Sequence, residues 1–236
     1  LKQCVERDPS LTGKLLRVVN SSMFGLRREV SDLNQALALL GVKPLKLLVL
    51  GFCLPKTLFS GIEGATLNRY WRFSLVKAVA ARELCHEFWD GASDETFIAA
   101  LLQEIGILVL VQELGEPYDT FLNDVVQEGG DLAAFENATL GFDHAILSSR
   151  LLDHWGLPES IVRAVAARPD GEGGSPEDDV ERQFAQILHL ASLIASIIVD
   201  GRTCSLPKLI RHAIEYREIG VEQIDCLMDQ MQERVE

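Results

Sequence analysis

The sequence predicts an all-α protein, a multi-helix bundle preceded by a smaller helical lobe. Three observations predict it. Apolar residues recur at three- and four-residue spacing along almost the whole chain, capping signals punctuate those runs, and no stretch alternates with the period of a strand. The 236 residues are enough for one large domain or two small packed lobes. The 47% hydrophobic share is that of a globular chain with a buried core.

Asp8-Pro9 opens the first helix, with the aspartate as N-cap and the proline at the first helical position. Leu11, Leu15, Val18 and Val19 give it an apolar face, and Asn20-Ser21-Ser22 ends it. Asp32 with Gln35 three residues on is a capping-box pattern; Leu33, Leu37 and Leu40 follow, and Gly41 is the stop. Pro44 opens the next helix, which carries Leu45, Leu47, Leu48 and Val49, while Gly51 and Pro55 weaken its far end. Residues 59–65, with Gly61 and Gly64, read as a link, so the first lobe is placed at 1–62 and the second at 63–236. In the second lobe the spacing predicts helices near 67–89, 94–113, 117–128, 131–138, 143–154, 158–168, 182–199, 205–215 and 221–234. Between the sixth and seventh of these lies an acidic loop, 169–181. It holds three glycines and no lysine, so it is not a loop that cradles phosphate.

Composition narrows the function. The net charge of −13 is uneven: residues 1–60 carry 9 Lys+Arg against 4 Asp+Glu, and residues 61–236 carry 13 against 31. So acidic a body argues against general nucleic-acid binding and against an anionic membrane surface. The basic start is expected to meet the acidic remainder internally, or an acidic partner. The most apolar stretches, residues 45–54 and 187–199, contain Lys46 and His189 and fall short of the roughly 20 apolar residues of a membrane span. The five cysteines are widely spaced, with no C-x-x-C, which argues against a disulfide framework and a zinc knuckle and for a reducing, cytoplasmic setting.

Five blocks, in order, carry a family resemblance: DPSLTGKLLRVVNSSMFG at 8–25, DLNQALALLGVKPLKLLVL at 32–50, YWRFSLVKAVAARELC at 70–85, TFIAALLQEIGILVL at 96–110 and LGFDHAILSSRLLDHWGLPESIVRAV at 140–165. Together they resemble the HDOD (HD-related output) domain, a helical relative of the HD and HD-GYP phosphohydrolases found in bacterial signalling proteins. The resemblance implies an HD-like helical fold for the second lobe. HD phosphohydrolases hold divalent metal with a histidine, an adjacent His-Asp pair and a later aspartate, because polarising a phosphoryl oxygen and acidifying a bound water need several N or O donors in fixed geometry. Aligned on the resemblance, those positions hold Phe73, Gln103-Glu104 and Ser192. His144 matches a further HD-GYP histidine, and the histidine pair of that group falls near Ala166, Ala167 and Arg168. Phenylalanine ligates nothing, and glutamine and serine are weak neutral donors. Two remaining donors, Glu104 and His144, do not make a firm site.

The implied function is therefore a non-catalytic signal-transduction module acting through other signalling proteins, with no cofactor, no nucleic acid and no membrane. Two alternatives stay open on the sequence: a metal-dependent phosphohydrolase of a nucleotide or cyclic dinucleotide, rebuilt around Glu104 and His144, and a nucleotide-binding sensor without turnover. Asn20, Ser21, Asp143 and His144 are the family-signature candidates. Asp143 is placed to cap the helix that starts there, and His144 to hydrogen-bond a neighbouring helix or to mark a residual ligand or anion site. Asn20-Ser21 either ends a helix or offers a contact surface. Trp71, Trp89 and Trp155 read as core or lobe-interface residues rather than stacking platforms. His86, His154, His189 and His212 are scattered without metal spacing.

Overall fold

The computed structural model describes residues 30–32, 35, 36, 38, 62, 64–89, 93–168 and 179–235. The candidates Asn20 and Ser21, the signature at 8–25, most of the block at 32–50 and residues 169–178 of the acidic loop lie outside the described residues. The chain divides into two compact units, Leu1–Ser60 with Cys226–Glu236, and Gly61–Asp225.

In the first unit Asp32 Oδ1 accepts the Gln35 N–H (3.0 Å), and Gln35 Oε1 accepts the Ser31 N–H (3.1 Å). This is the reciprocal arrangement of a capping box, with the return bond reaching one residue further back.

Among the described residues the regular structure is helical, without strands. The helices are α1 (Gly64–Phe88), α2 (Ser93–Gln103), α3 (Ile105–Leu114), α4 (Glu116–Glu128), α5 (Leu132–Leu140), α6 (His144–His154), α7 (Glu159–Ala166), α8 (Asp179–Asp200), α9 (Leu206–Arg217) and α10 (Val221–Val235), with a 3₁₀ turn at Thr203–Ser205. The long α1 is the spine of its unit and packs along α2 and α8. Its run Ala78-Val79-Ala80-Ala81 is buried throughout, and these small side chains let helices close in on two sides of it. Helix α6 lies against α3 and α7.

Two edges differ from expectation. The helix expected at 94–113 is two helices, broken at Glu104 (φ −87°, ψ 1°). Apolar periodicity runs straight through this point, so nothing in the pattern marks the break. The last residues of the expected loop, Asp179, Val180 and Glu181, are in the first turn of α8, where the carboxylates of Asp179 and Glu181 complement the helix dipole. By length and composition Glu95–Leu114 and Asp179–Asp200 both reach what a membrane crossing needs. The first of them is the pair interrupted at Glu104, and both place apolar side chains in the core.

Candidate functional site

The break at Glu104 aims a carboxylate into the interior. Two hydrogen bonds hold it there. The Gly106 N–H donates to Ser148 Oγ (2.8 Å), and the Ser148 hydroxyl donates to the Gln103 carbonyl (2.6 Å), so one side chain of α6 ties both sides of the break. Gly106 also lets α3 touch α6: a Cβ there would sit 2.2 Å from the His144 carbonyl oxygen.

Around Glu104 lies a buried chain of polar groups. Lys77, on α1 one turn beyond Phe73, is 1% exposed. Its ammonium donates to Gln103 Oε1 (2.6 Å) and pairs with Glu104 Oε1. Gln103 satisfies its other end by donating Nε2–H to the Val165 carbonyl (2.9 Å). The second Glu104 oxygen faces His144 Nε2 at 3.2 Å. His144 Nδ1 lies 2.6 Å from Glu136 Oε2, and the His144 backbone N–H donates to the same oxygen (2.8 Å). The Tyr118 hydroxyl donates to the other Glu136 oxygen. Two cations therefore face two carboxylates, each carboxylate taking up hydrogen bonds at both oxygens, which is the condition under which buried charge is tolerable.

The protonation states follow. Burial opposes the charged form of His144, but Glu136 and Glu104 overcome it and raise its pKa to about 10. Both ring nitrogens are then donors, as two flanking carboxylates require. Burial pushes the Glu104 carboxyl up, yet the charges of Lys77 and His144 hold it well below the usual carboxylate range. Burial, reinforced by Glu136, drives the Tyr118 phenol far up, so it stays a donor.

Asp143 is the N-cap of α6, its Oδ1 accepting the Ile146 N–H (2.9 Å). Its Oδ2 takes the Arg168 guanidinium (2.8 Å) and the Asn137 amide (3.2 Å). Burial raises the Asp143 pKa; the Ile146 N–H, His144 and Arg168 outweigh it and lower it. The anion at the α6 N-terminus is thus internal, the Glu136 carboxylate on the His144 N–H.

Every position that the resemblance aligned with a metal ligand and that has a side chain of any reach faces one cavity. Phe73, Gln103, Glu104, His144, Arg168 and Ser192 all line a space of about 640 Å³ between α1, α6, α8 and α9. Ser192 turns its hydroxyl back to the Leu188 carbonyl of its own helix (3.0 Å). The donors present do not fit a metal ion. An ammonium occupies the carboxylate and amide of Gln103-Glu104, and both nitrogens of His144 are in ion pairs. Among the described residues no three His, Cys, Asp or Glu side chains converge on a point that an ion would share.

Lys77 and Glu136 were not among the residues singled out from the sequence. Lys77 carries a signal: it is the one charge in the apolar run Leu75–Ala81, four residues after Phe73 and so on the same face. Glu136 sits on a short helix whose surroundings give no such hint. Trp89 is buried, as a core reading requires, while Trp71 and Trp155 are half-buried. His189 and His212, far apart in sequence, have ring centroids 4.8 Å apart.

Among the described residues the chain is an all-helical bundle with a buried cluster of polar and charged groups at its cavity. The chain belongs to the HDOD domain family, whose model matches residues 1–170. The structure is similar to an HDOD domain protein of unknown function from Geobacter sulfurreducens (TM-score 0.64, 16% identity, 99% of this chain and 84% of that one). It is similar to a Shewanella amazonensis SB2B protein provisionally named a phosphohydrolase (TM-score 0.66, 22% identity, 100% and 86%). It is also similar to the MmoQ response regulator of Methylococcus capsulatus str. Bath (TM-score 0.53, 28% identity, 97% and 88%). An uncharacterised protein of Treponema pallidum (strain Nichols) is 21% identical over 168 residues, 68% of this chain and 31% of that one, so the chain spans about a third of that relative's length.

Proposed function

We propose that this HDOD chain is a non-catalytic regulatory module that acts through other signalling proteins. One observation carries the reading: the ammonium of Lys77 lies on Gln103 and Glu104, where the HD resemblance places metal-binding side chains. A resident cation neutralises Glu104 and leaves no open coordination position, and without one neither a polarised phosphoryl oxygen nor an activated water is available by the HD route. The arrangement instead locks α1, the α2–α3 junction, α5 and α6 to one another. It keeps the scaffold while removing its chemistry, and a rigid scaffold is what presents a recognition surface. The likeness at 28% identity to a response regulator supports a signalling role. The likeness to the Shewanella protein, at 22%, speaks for the fold alone.

Hydrolysis assays test this directly. Purified protein, supplied with manganese, iron or zinc and offered linear and cyclic nucleotides, is expected to show no turnover above background. Turnover that disappears in Glu104→Gln would overturn the reading.

A further inference from the structure

We infer that the cavity beneath α8 and α9 is a binding site for a small anion that carries a planar ring, of the nucleoside monophosphate class. The inference goes beyond the regulatory reading: Lys77 and Glu104 line the same cavity, but the ligand would be held by other side chains, Arg202, Lys208 and the rings of α9.

Charge is the first observation. Residues 61–236 contain 13 Lys+Arg and 31 Asp+Glu. Six of those basic residues line this one cavity, namely Arg69, Lys77, Arg168, Arg202, Lys208 and Arg211, against five of the acidic ones. A strongly acidic body has gathered nearly half its cations around one concavity, which concentrates an anion there.

Among the described residues, two of those cations have no carboxylate partner. Arg69 is clamped by Asp200 through two bonds of 2.9 Å, Lys77 by Glu104 and Arg168 by Asp143. Arg202 donates Nη2–H to the Gly130 carbonyl (2.7 Å), while its buried Nε–H has no acceptor among the described residues. Lys208 has no ion pair among the described residues, and it sits in the first turn of α9, which holds no acidic residue. A cation in that turn opposes the helix dipole, and an anion beside it would remove the conflict. Arg211 adds a third positive group, loosely paired with the exposed Glu215 at 3.9 Å and with Nη2 lying 3.0 Å from His212 Nε2.

A ring platform lies on the same wall. His212 and Tyr216, one turn apart on α9, stack with centroids 5.4 Å apart and planes at 24°. His189 of α8 is 4.8 Å from His212 and bonds the Tyr216 hydroxyl (2.9 Å), while His212 Nδ1 bonds the exposed Glu215 carboxylate (2.9 Å), so both rings are fixed. Fixed aromatic faces beside cations are how a planar base and its phosphate are held together. The volume of about 640 Å³ is within the usual range for small-molecule sites.

Calorimetric titration of the full chain tests the proposal, with adenosine and guanosine 5′-monophosphates, the two nucleosides and inorganic phosphate as probes. At least one monophosphate is expected to bind with Kd below about 1 mM. Its nucleoside and inorganic phosphate should each bind at least about tenfold more weakly. Lys208→Glu, at an exposed position, should weaken binding at least about tenfold, and His212→Ala likewise. No binding of either monophosphate up to 1 mM, or unchanged affinity in Lys208→Glu, would refute the site. Equal affinity for inorganic phosphate would refute the ring platform. Binding followed by turnover would contradict the non-catalytic reading alone, and absent binding would contradict this inference alone.

Discussion

Replacing Lys77 with methionine keeps the length and apolar body of the side chain and deletes its charge. Glu104, 8% exposed at its side chain, would then face His144 alone and leave one oxygen and the Gln103 Oε1 without a donor. Water cannot easily relieve them, because Lys77 itself is 1% exposed. Breaking one partner of a buried pair costs about 3–5 kcal/mol, whereas replacing both by neutral groups is often close to neutral. Lys77→Met alone is therefore expected to lose about 3–5 kcal/mol, and Lys77→Met with Glu104→Gln to regain most of it. Urea denaturation followed by tryptophan fluorescence reads this out. Trp71, Trp89 and Trp155 are the chain's three tryptophans and all fall within Gly61–Asp225, so the signal follows the unit that holds the site. A single variant that unfolds at the wild-type midpoint, or a double variant that is no better than the single, would refute the ion pair as the element that holds this junction.

Gly106→Ala places a methyl 2.2 Å from the His144 carbonyl oxygen and 2.9 Å from Ser148 Oγ, so α3 and α6 must part. Overpacking of this kind costs about 1–3 kcal/mol, measured by the same denaturation, and a neutral result would contradict the close approach. The folded pKa of His144 is raised from 6.5 to about 10, so its stabilisation is fully present below pH 6.5 and drains away as pH rises towards 10. The slope contributed by this one proton reaches about 1.4 kcal/mol per pH unit. Denaturation midpoints should fall between pH 7 and 9.5, and more shallowly in Glu136→Gln. Ring-nitrogen NMR that finds His144 neutral at pH 8 would contradict the two-carboxylate cradle.

Local signals in the sequence carried the fold far. Helices are legible wherever a cap or a glycine stop bounds an apolar face, as at Asp143 for α6 and Asp131 for α5, whose Oδ1 accepts the Ala134 N–H (3.1 Å). The break at Glu104 was not legible, because a single non-helical residue leaves the periodicity of its neighbours intact and is enforced by Ser148 from another helix. The site was legible only as a set of replaced positions. Phe73, Gln103 and Ser192 read as losses, and their clustering with Glu104, His144 and Arg168 needed the fold. Lys77 stood in plain view as a lone charge in an apolar run, and its meaning came from the carboxylate that a distant segment brings to it. Glu136 and the His189–His212–Tyr216 group depend on contacts between helices, which residue spacing does not encode.

The central claim is that an internal ammonium holds the place of a metal. Elemental mass spectrometry of the purified protein, exposed to manganese, iron and zinc and then desalted, tests it most directly. The account predicts metal far below one ion per chain. One or two tightly held ions per chain would mean that Glu104 and His144 are ligands after all, and would contradict it.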